Sequence, residues 1–150
     1  TCGKVETAKY TWPTQESVVR VLLAEGVHDL VVDLIRPCCA EFRELGGALR
    51  VSPVQQGRMR FEVSGEGKDA SLRLSICELQ ETVTCMPGSF VTVYGYSQTV
   101  GQALSDGEIH GGDRTFRVND RDYTGKLRVQ PLTNSKLTST TLSLINTLPL

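Results

Sequence analysis

The sequence predicts a mainly β domain, an antiparallel β-sandwich or barrel built from hairpins, with one short helix near residues 37–45. Three observations predict it. Two segments fold back on themselves with matched polarity. Turn-forming residues recur about every 8 to 12 positions, the spacing of sandwiches and barrels. The stretches between them either alternate apolar and polar residues or run apolar throughout.

The first self-matching segment is residues 17–35, centred on Gly26 and Val27. Arg20 then faces Asp33, Val18 faces Ile35, Val19 faces Leu34 and Leu22 faces Val31. Glycine stands first of the two central residues, as a type II′ turn requires. The second is residues 58–77, centred on Gly67 and Lys68. Met59, Phe61 and Val63 face Ile76, Leu74 and Leu72 on one surface, and Glu62 faces Arg73 on the other. Cross-strand pairs matched in polarity and charge sign are what stabilise a sheet and fix its register.

Taken in order, residues 5–10 alternate weakly as a first strand, ended by Trp12 and Pro13. Residues 17–24 and 29–35 form the first hairpin. A helix over residues 14–24 is the rival reading, with Thr14 as N-cap and Gly26 beyond the C-terminus. The β-branched valines and the Arg20–Asp33 match favour strand. Residues 37–45 read as a two-turn helix. Pro37 suits the first helical position, Gly46 and Gly47 end it, and Cys38, Phe42 and Leu45 share a face.

From Ala48 onward strand follows strand. Leu49 and Val51 alternate with Arg50 and Ser52, and the hairpin of residues 58–77 follows. Residues 82–85 and 90–96 flank Met86-Pro87-Gly88-Ser89, which fits a type II turn. Phe116 and Val118 alternate about Arg117, and Leu127 and Val129 about Arg128. Leu137, Leu142 and Leu144 mark a last strand. The longest irregular stretch is residues 97–113, with four glycines. Loops of that length are disproportionately functional.

The 150 residues fit a single domain with a core of its own. A net charge of −1 argues against a surface built for nucleic-acid phosphates or anionic lipid. No apolar run approaches the roughly 18 residues of a membrane helix, so no membrane insertion is expected. A start at Thr1-Cys2 without methionine reads as a processed product or an excised domain.

Five cysteines allow two readings. An extracellular or surface protein would bridge Cys77 to Cys85 and Cys2 to Cys38 or its neighbour Cys39. A cytoplasmic one would keep all five reduced. Cys2, placed to tie down a processed terminus, favours oxidation. No Asn-x-Ser/Thr triplet is present, which favours a bacterial, viral or intracellular source over a heavily glycosylated ectodomain.

Few motifs carry chemistry. Gly65-Glu66-Gly67-Lys68-Asp69-Ala70 has the spacing of a dinucleotide fingerprint, but a strand follows it where a helix is needed. It reads as a hairpin turn. Asp106, Glu108 and His110 lie two residues apart with Asp113 beyond, so an extended backbone would point three donors one way. The spacing matches no metal signature, and a solvated polar loop is the better reading, with Asp106, Glu108 and His110 as its expected contacts if the loop binds a partner. No nucleophile elbow, His-Glu-x-x-His or phosphate loop occurs. Cys38 or Cys39 as a nucleophile would need a nearby base. Arg58, Arg60 and Arg73 share the polar face of the second hairpin with Glu62. That face is either solvated or a surface for phosphates or an acidic partner. Residues 133–150, with Lys136 as the sole charge, read as an edge strand or docking arm open to another chain, or else as the last strand of the domain's own sheet or a disordered terminus.

The expected function is therefore a non-enzymatic, protein-binding or structural β-sandwich module of extracellular, surface or viral-coat type, with no cofactor or metal. Its partner would be another protein or a second copy met through the C-terminal segment. A small hydrolase or metal-dependent enzyme using residues 97–113 is the alternative from a different class. An intracellular β module binding nucleic acid or an acidic partner through Arg58, Arg60 and Arg73 is the third.

Overall fold

The computed structural model describes residues 18–55, 57–65, 67–77, 79–97, 102–103, 114–132 and 140–149. Thirteen strands run through them. They are β1 (Val18–Val27), β2 (Asp29–Leu34), β3 (Cys38–Arg43), β4 (Leu49–Val54), β5 (Gly57–Ser64), β6 (Ser71–Ile76) and β7 (Glu81–Thr84). Then come β8 (Val91–Ser97), β9 (Gln102–Ala103), β10 (Phe116–Val118), β11 (Arg121–Tyr123), β12 (Lys126–Leu132) and β13 (Thr141–Pro149).

All pairings are antiparallel, in two sheets packed face to face. The first has the order β1-β13-β12-β8-β3-β4, with β9 attached to β8. The second has the order β11-β10-β2-β5-β6-β7. The architecture is the sandwich that the alternation predicts.

The period of two places the core. Leu30, Val32 and Leu34 of β2, Met59 and Phe61 of β5, and Leu72, Leu74 and Ile76 of β6 point inward from the second sheet. Phe42 of β3, Val91 and Val93 of β8, Leu127 and Val129 of β12, and Leu142 and Leu144 of β13 answer from the first. Each such side chain contributes about 1.5–3 kcal/mol by leaving water. The sheets also join at one corner. Glu44 bridges to Cys85, and the Met86 amide donates to the Arg43 carbonyl at 2.9 Å.

The second hairpin has the expected register throughout: Met59 opposite Ile76, Phe61 opposite Leu74, Glu62 opposite Arg73, Val63 opposite Leu72. Its turn is longer than two residues and contains a 3-10 turn at Gly67–Asp69. The Met86–Ser89 turn also forms. Gly88 has φ 78° and the Ser89 amide donates to the Met86 carbonyl at 3.1 Å.

The first hairpin is corrected. Both strands exist, but they do not pair with each other. β1 lies beside β13 in one sheet and β2 beside β5 in the other, with the chain crossing between sheets at His28. Two nearly all-apolar strands match each other in many registers, so the match was not unique. Asp33 still meets arginine across a strand pair. Its partners are Arg58 and Arg117 instead of Arg20.

The helix at 37–45 is also corrected, since this segment is strand β3. Cys38, Ala40 and Phe42 join the core, Cys39 is buried on the opposite face, Glu41 and Arg43 are not buried, and β3 is paired on both sides. Gly47, with φ 91°, ends a β-turn rather than a helix, its amide donating to the Glu44 carbonyl at 2.8 Å. Of the readings of the C-terminal segment, the structure gives the own-sheet strand over Thr141–Pro149. β13 is flanked by β1 and β12. Residues 5–10 and Leu137 lie outside the described residues.

Candidate functional site

The outer face of the second sheet carries the three arginines, and it carries their counter-ions in the same rows. Antiparallel register places Asp122, Arg117, Asp33 and Arg58 side by side across four strands, with alternating sign. Arg58 Nε donates to Asp33 Oδ1 at 2.9 Å, and Arg117 Nε to Asp122 Oδ1 at 2.8 Å. A parallel row sets Asp29 opposite Glu62 and Glu62 opposite Arg73. Like charges opposed in this way repel. Arg60 lies between them, bonded to Asp29 and 4.0 Å from Glu62. The hydrogen bonds to Asp33 and Asp29 raise the Arg58 and Arg60 guanidinium pKa values. That from Arg117 holds the Asp122 carboxyl below its ordinary range. The face is a charge-alternating surface, not a cationic one. Asp106, Glu108 and His110 lie outside the described residues.

The cysteines do not form the expected Cys77–Cys85 bridge. The Cys77 amide donates to Arg58, and the Cys85 amide to Leu72, at opposite ends of β6. That separation is about 16 Å of strand, against the roughly 7 Å that a disulfide tolerates between Cα atoms. Cys38, Cys39, Cys77 and Cys85 are all thiols. Cys2 lies outside the described residues, and its expected partner Cys38 is sealed in the core, with Sγ donating to the Arg36 carbonyl at 3.2 Å. The vicinal pair splits between faces, Cys38 inward and Cys39 outward against Tyr94 and Val51. Burial pushes the Cys38 thiol up to about 12 and Cys85 to about 11. A nucleophilic cysteine needs the opposite shift. Among the described residues, no group of three or more His, Cys, Asp or Glu side chains is placed to hold a metal ion.

An open groove of about 430 Å³ runs beside β2, lined by Leu30, Val31, Asp29, Asp33, Arg117 and Asp120. It exists because β10 reaches β2 only at Asp33 and Leu34. Asn119 and Asp120, at φ 50° and 66°, then turn the chain into β11. Such paired positive φ values mark a type I′ hairpin, which the Asn-Asp dipeptide could have signalled.

The strand edges differ sharply. β7 has four residues and β11 three, and β4 carries Arg50 and Pro53. Short length, charge and proline all discourage pairing with another chain. β1 has ten residues and, among the described residues, pairs only with β13. Its inward Val19 and Val21 are each 38% exposed, and its outward Leu22 is 54% exposed. Arg20 and Glu25 are its only charges, both exposed, and no ion pair holds either among the described residues. Sequence reasoning missed this edge because it assigned β1 a neighbour in β2.

No protein-family profile, no curated protein and no solved structure matches the chain.

Proposed function

We propose that this domain is a non-enzymatic module that works by protein–protein contact through the edge of β1 that no described strand covers. One observation carries the reading: a ten-residue edge strand with Val19, Val21 and Leu22 all more than a third exposed. An unblunted edge offers a row of backbone donors and acceptors, and the alternate apolar side chains supply specificity. The ion pairs that Arg58 and Arg60 make with Asp33 and Asp29 support the same reading against an anion-binding face.

A labelled peptide copying β13, the strand that β1 already accepts, is a suitable strand-pairing probe. Dilute protein should bind it saturably, with backbone amide shifts confined to β1. Val21→Lys should weaken binding by about tenfold or more, as lysine on an edge discourages pairing. Shifts that spare β1 and gather on Arg58, Arg60 and Arg73, or in residues 97–113, would overturn the reading.

A further inference from the structure

We infer that the occupant of the β1 edge is β1 of a second copy, paired antiparallel about a two-fold axis at Leu22–Leu23, with Arg20 of each copy facing Glu25 of the other. This rests on the proposed edge-pairing function and names its partner.

The argument begins with a bulge. Leu22 is opposite Ile145 and Ala24 is opposite Leu144, so Leu23 is an extra residue. In a regular strand, residues an odd number apart point to opposite faces. Arg20 and Glu25 would then never meet across a two-fold axis perpendicular to the sheet. The bulge absorbs one residue and resets the alternation. Arg20 is opposite Thr147, Leu22 opposite Ile145 and Glu25 opposite Ser143, all turned away from the core-facing Leu142, Leu144 and Asn146. Arg20, Leu22 and Glu25 therefore share the outer face.

With that alternation, one register of β1 against itself satisfies every position. Arg20 meets Glu25 twice by symmetry, and Leu22 and Leu23 meet their own copies at the axis. On the inner face Val21 meets Ala24, and Val19 lies beside Val27. Both charges of the strand are thus matched, and Val19, Val21 and Leu22 all lose solvent. An isologous contact of this kind closes at the dimer and leaves neither β1 edge open. The two copies of the first sheet become one continuous sheet across the axis. In the opposite, parallel arrangement, like residues would stand beside like and the two arginines would repel.

Sedimentation velocity on the whole chain over a wide concentration range tests this, with Arg20→Glu, Glu25→Arg and the double reversal alongside the parent. All three changes fall on exposed side chains, so unchanged thermal unfolding confirms the fold in each. The parent should dimerise. Each single reversal should weaken the dimer by about tenfold or more, since it places like charges opposite each other twice. The double reversal should restore dimerisation close to the parental value. A dimer indifferent to both single reversals would use another surface, and the self-pairing would be wrong. A parent that stays monomeric yet binds the β13 peptide at β1 would also overturn the self-pairing while leaving edge recognition standing. A parent that does neither would overturn both.

Discussion

Arg50 on β4 donates from Nη2 to Glu81 Oε1 on β7 at 2.8 Å, so one ion pair ties the edge strand of one sheet to the edge strand of the other. Arg50 also lies over the Phe42 ring at 5.5 Å and 3.6 Å from Glu44. The hydrogen bond from Arg50 holds the Glu81 carboxyl below its ordinary value. A carboxyl lowered by folding stabilises the folded chain above its unfolded pKa, and that contribution is lost as pH falls through the folded value. Stability should therefore decline as pH drops below about 4. Glu81→Gln should be less stable than the parent near neutrality and decline less steeply in acid. Urea midpoints measured across that range check both statements, and equal slopes would refute them.

Phe61 is fully buried, opposite Leu74 on one side and Leu30 on the other. Phe61→Ala should cost about 3–5 kcal/mol, the range for emptying a core aromatic site. Thermal unfolding within a degree or two of the parent would contradict the packing of the two inner faces.

Gly125 sits at φ 86°, where an added Cβ would lie 2.2 Å from the Thr147 carbonyl oxygen. Gly26 has φ 77° but open space around it. Gly125→Ala should therefore be clearly more destabilising than Gly26→Ala, whose cost is limited to about 1–2 kcal/mol of left-handed backbone. Chemical denaturation of the two variants side by side makes the comparison, and equal losses would show that the β11–β12 turn can move aside.

Of the four described cysteines, Cys77 is exposed and the other three are buried. A thiol reagent should titrate Cys77 quickly and reach Cys38, Cys39 and Cys85 only on unfolding. Raised thiol pKa values also carry a sign in alkali. Cys38 and Cys85 favour the folded state below the ordinary thiol value of 9.0, and that advantage is lost as pH climbs towards about 12 and 11 respectively. Cys85→Ala should blunt the alkaline loss. Rapid labelling of all four thiols in the native protein would contradict the burial.

What the sequence made legible follows from how unevenly its polarity is distributed. Arg60, Glu62 and Arg73 interrupt the apolar rows of β5 and β6 at positions that only one register satisfies, so that hairpin was readable to the residue. β1 and β2 are apolar at nearly every position, and matching hydrophobes to hydrophobes discriminates poorly. The segment of β3 carries proline before it and glycines after it, and those signals serve a hairpin as well as a helix. Its burial came from pairing with β4 and β8, which no local pattern announces. The β1 edge was invisible for a related reason. Whether a strand ends a sheet depends on the order of all the others, and β1 finds its neighbour at the far end of the chain.

That distant neighbour bears on folding rate. β1 pairs with β13 from Val18↔Pro149 to Val27↔Leu142, so the first described strand can dock only after the last has been made. Closing so long a loop precedes any return from the contacts it allows, and topologies rich in such pairings fold slowly. Until β13 arrives, Val19, Val21, Leu22 and Leu23 wait unpaired on a nascent chain, open to capture by other strands. A ribosome-bound or C-terminally truncated chain should thus depend on a holdase far more than the finished domain does.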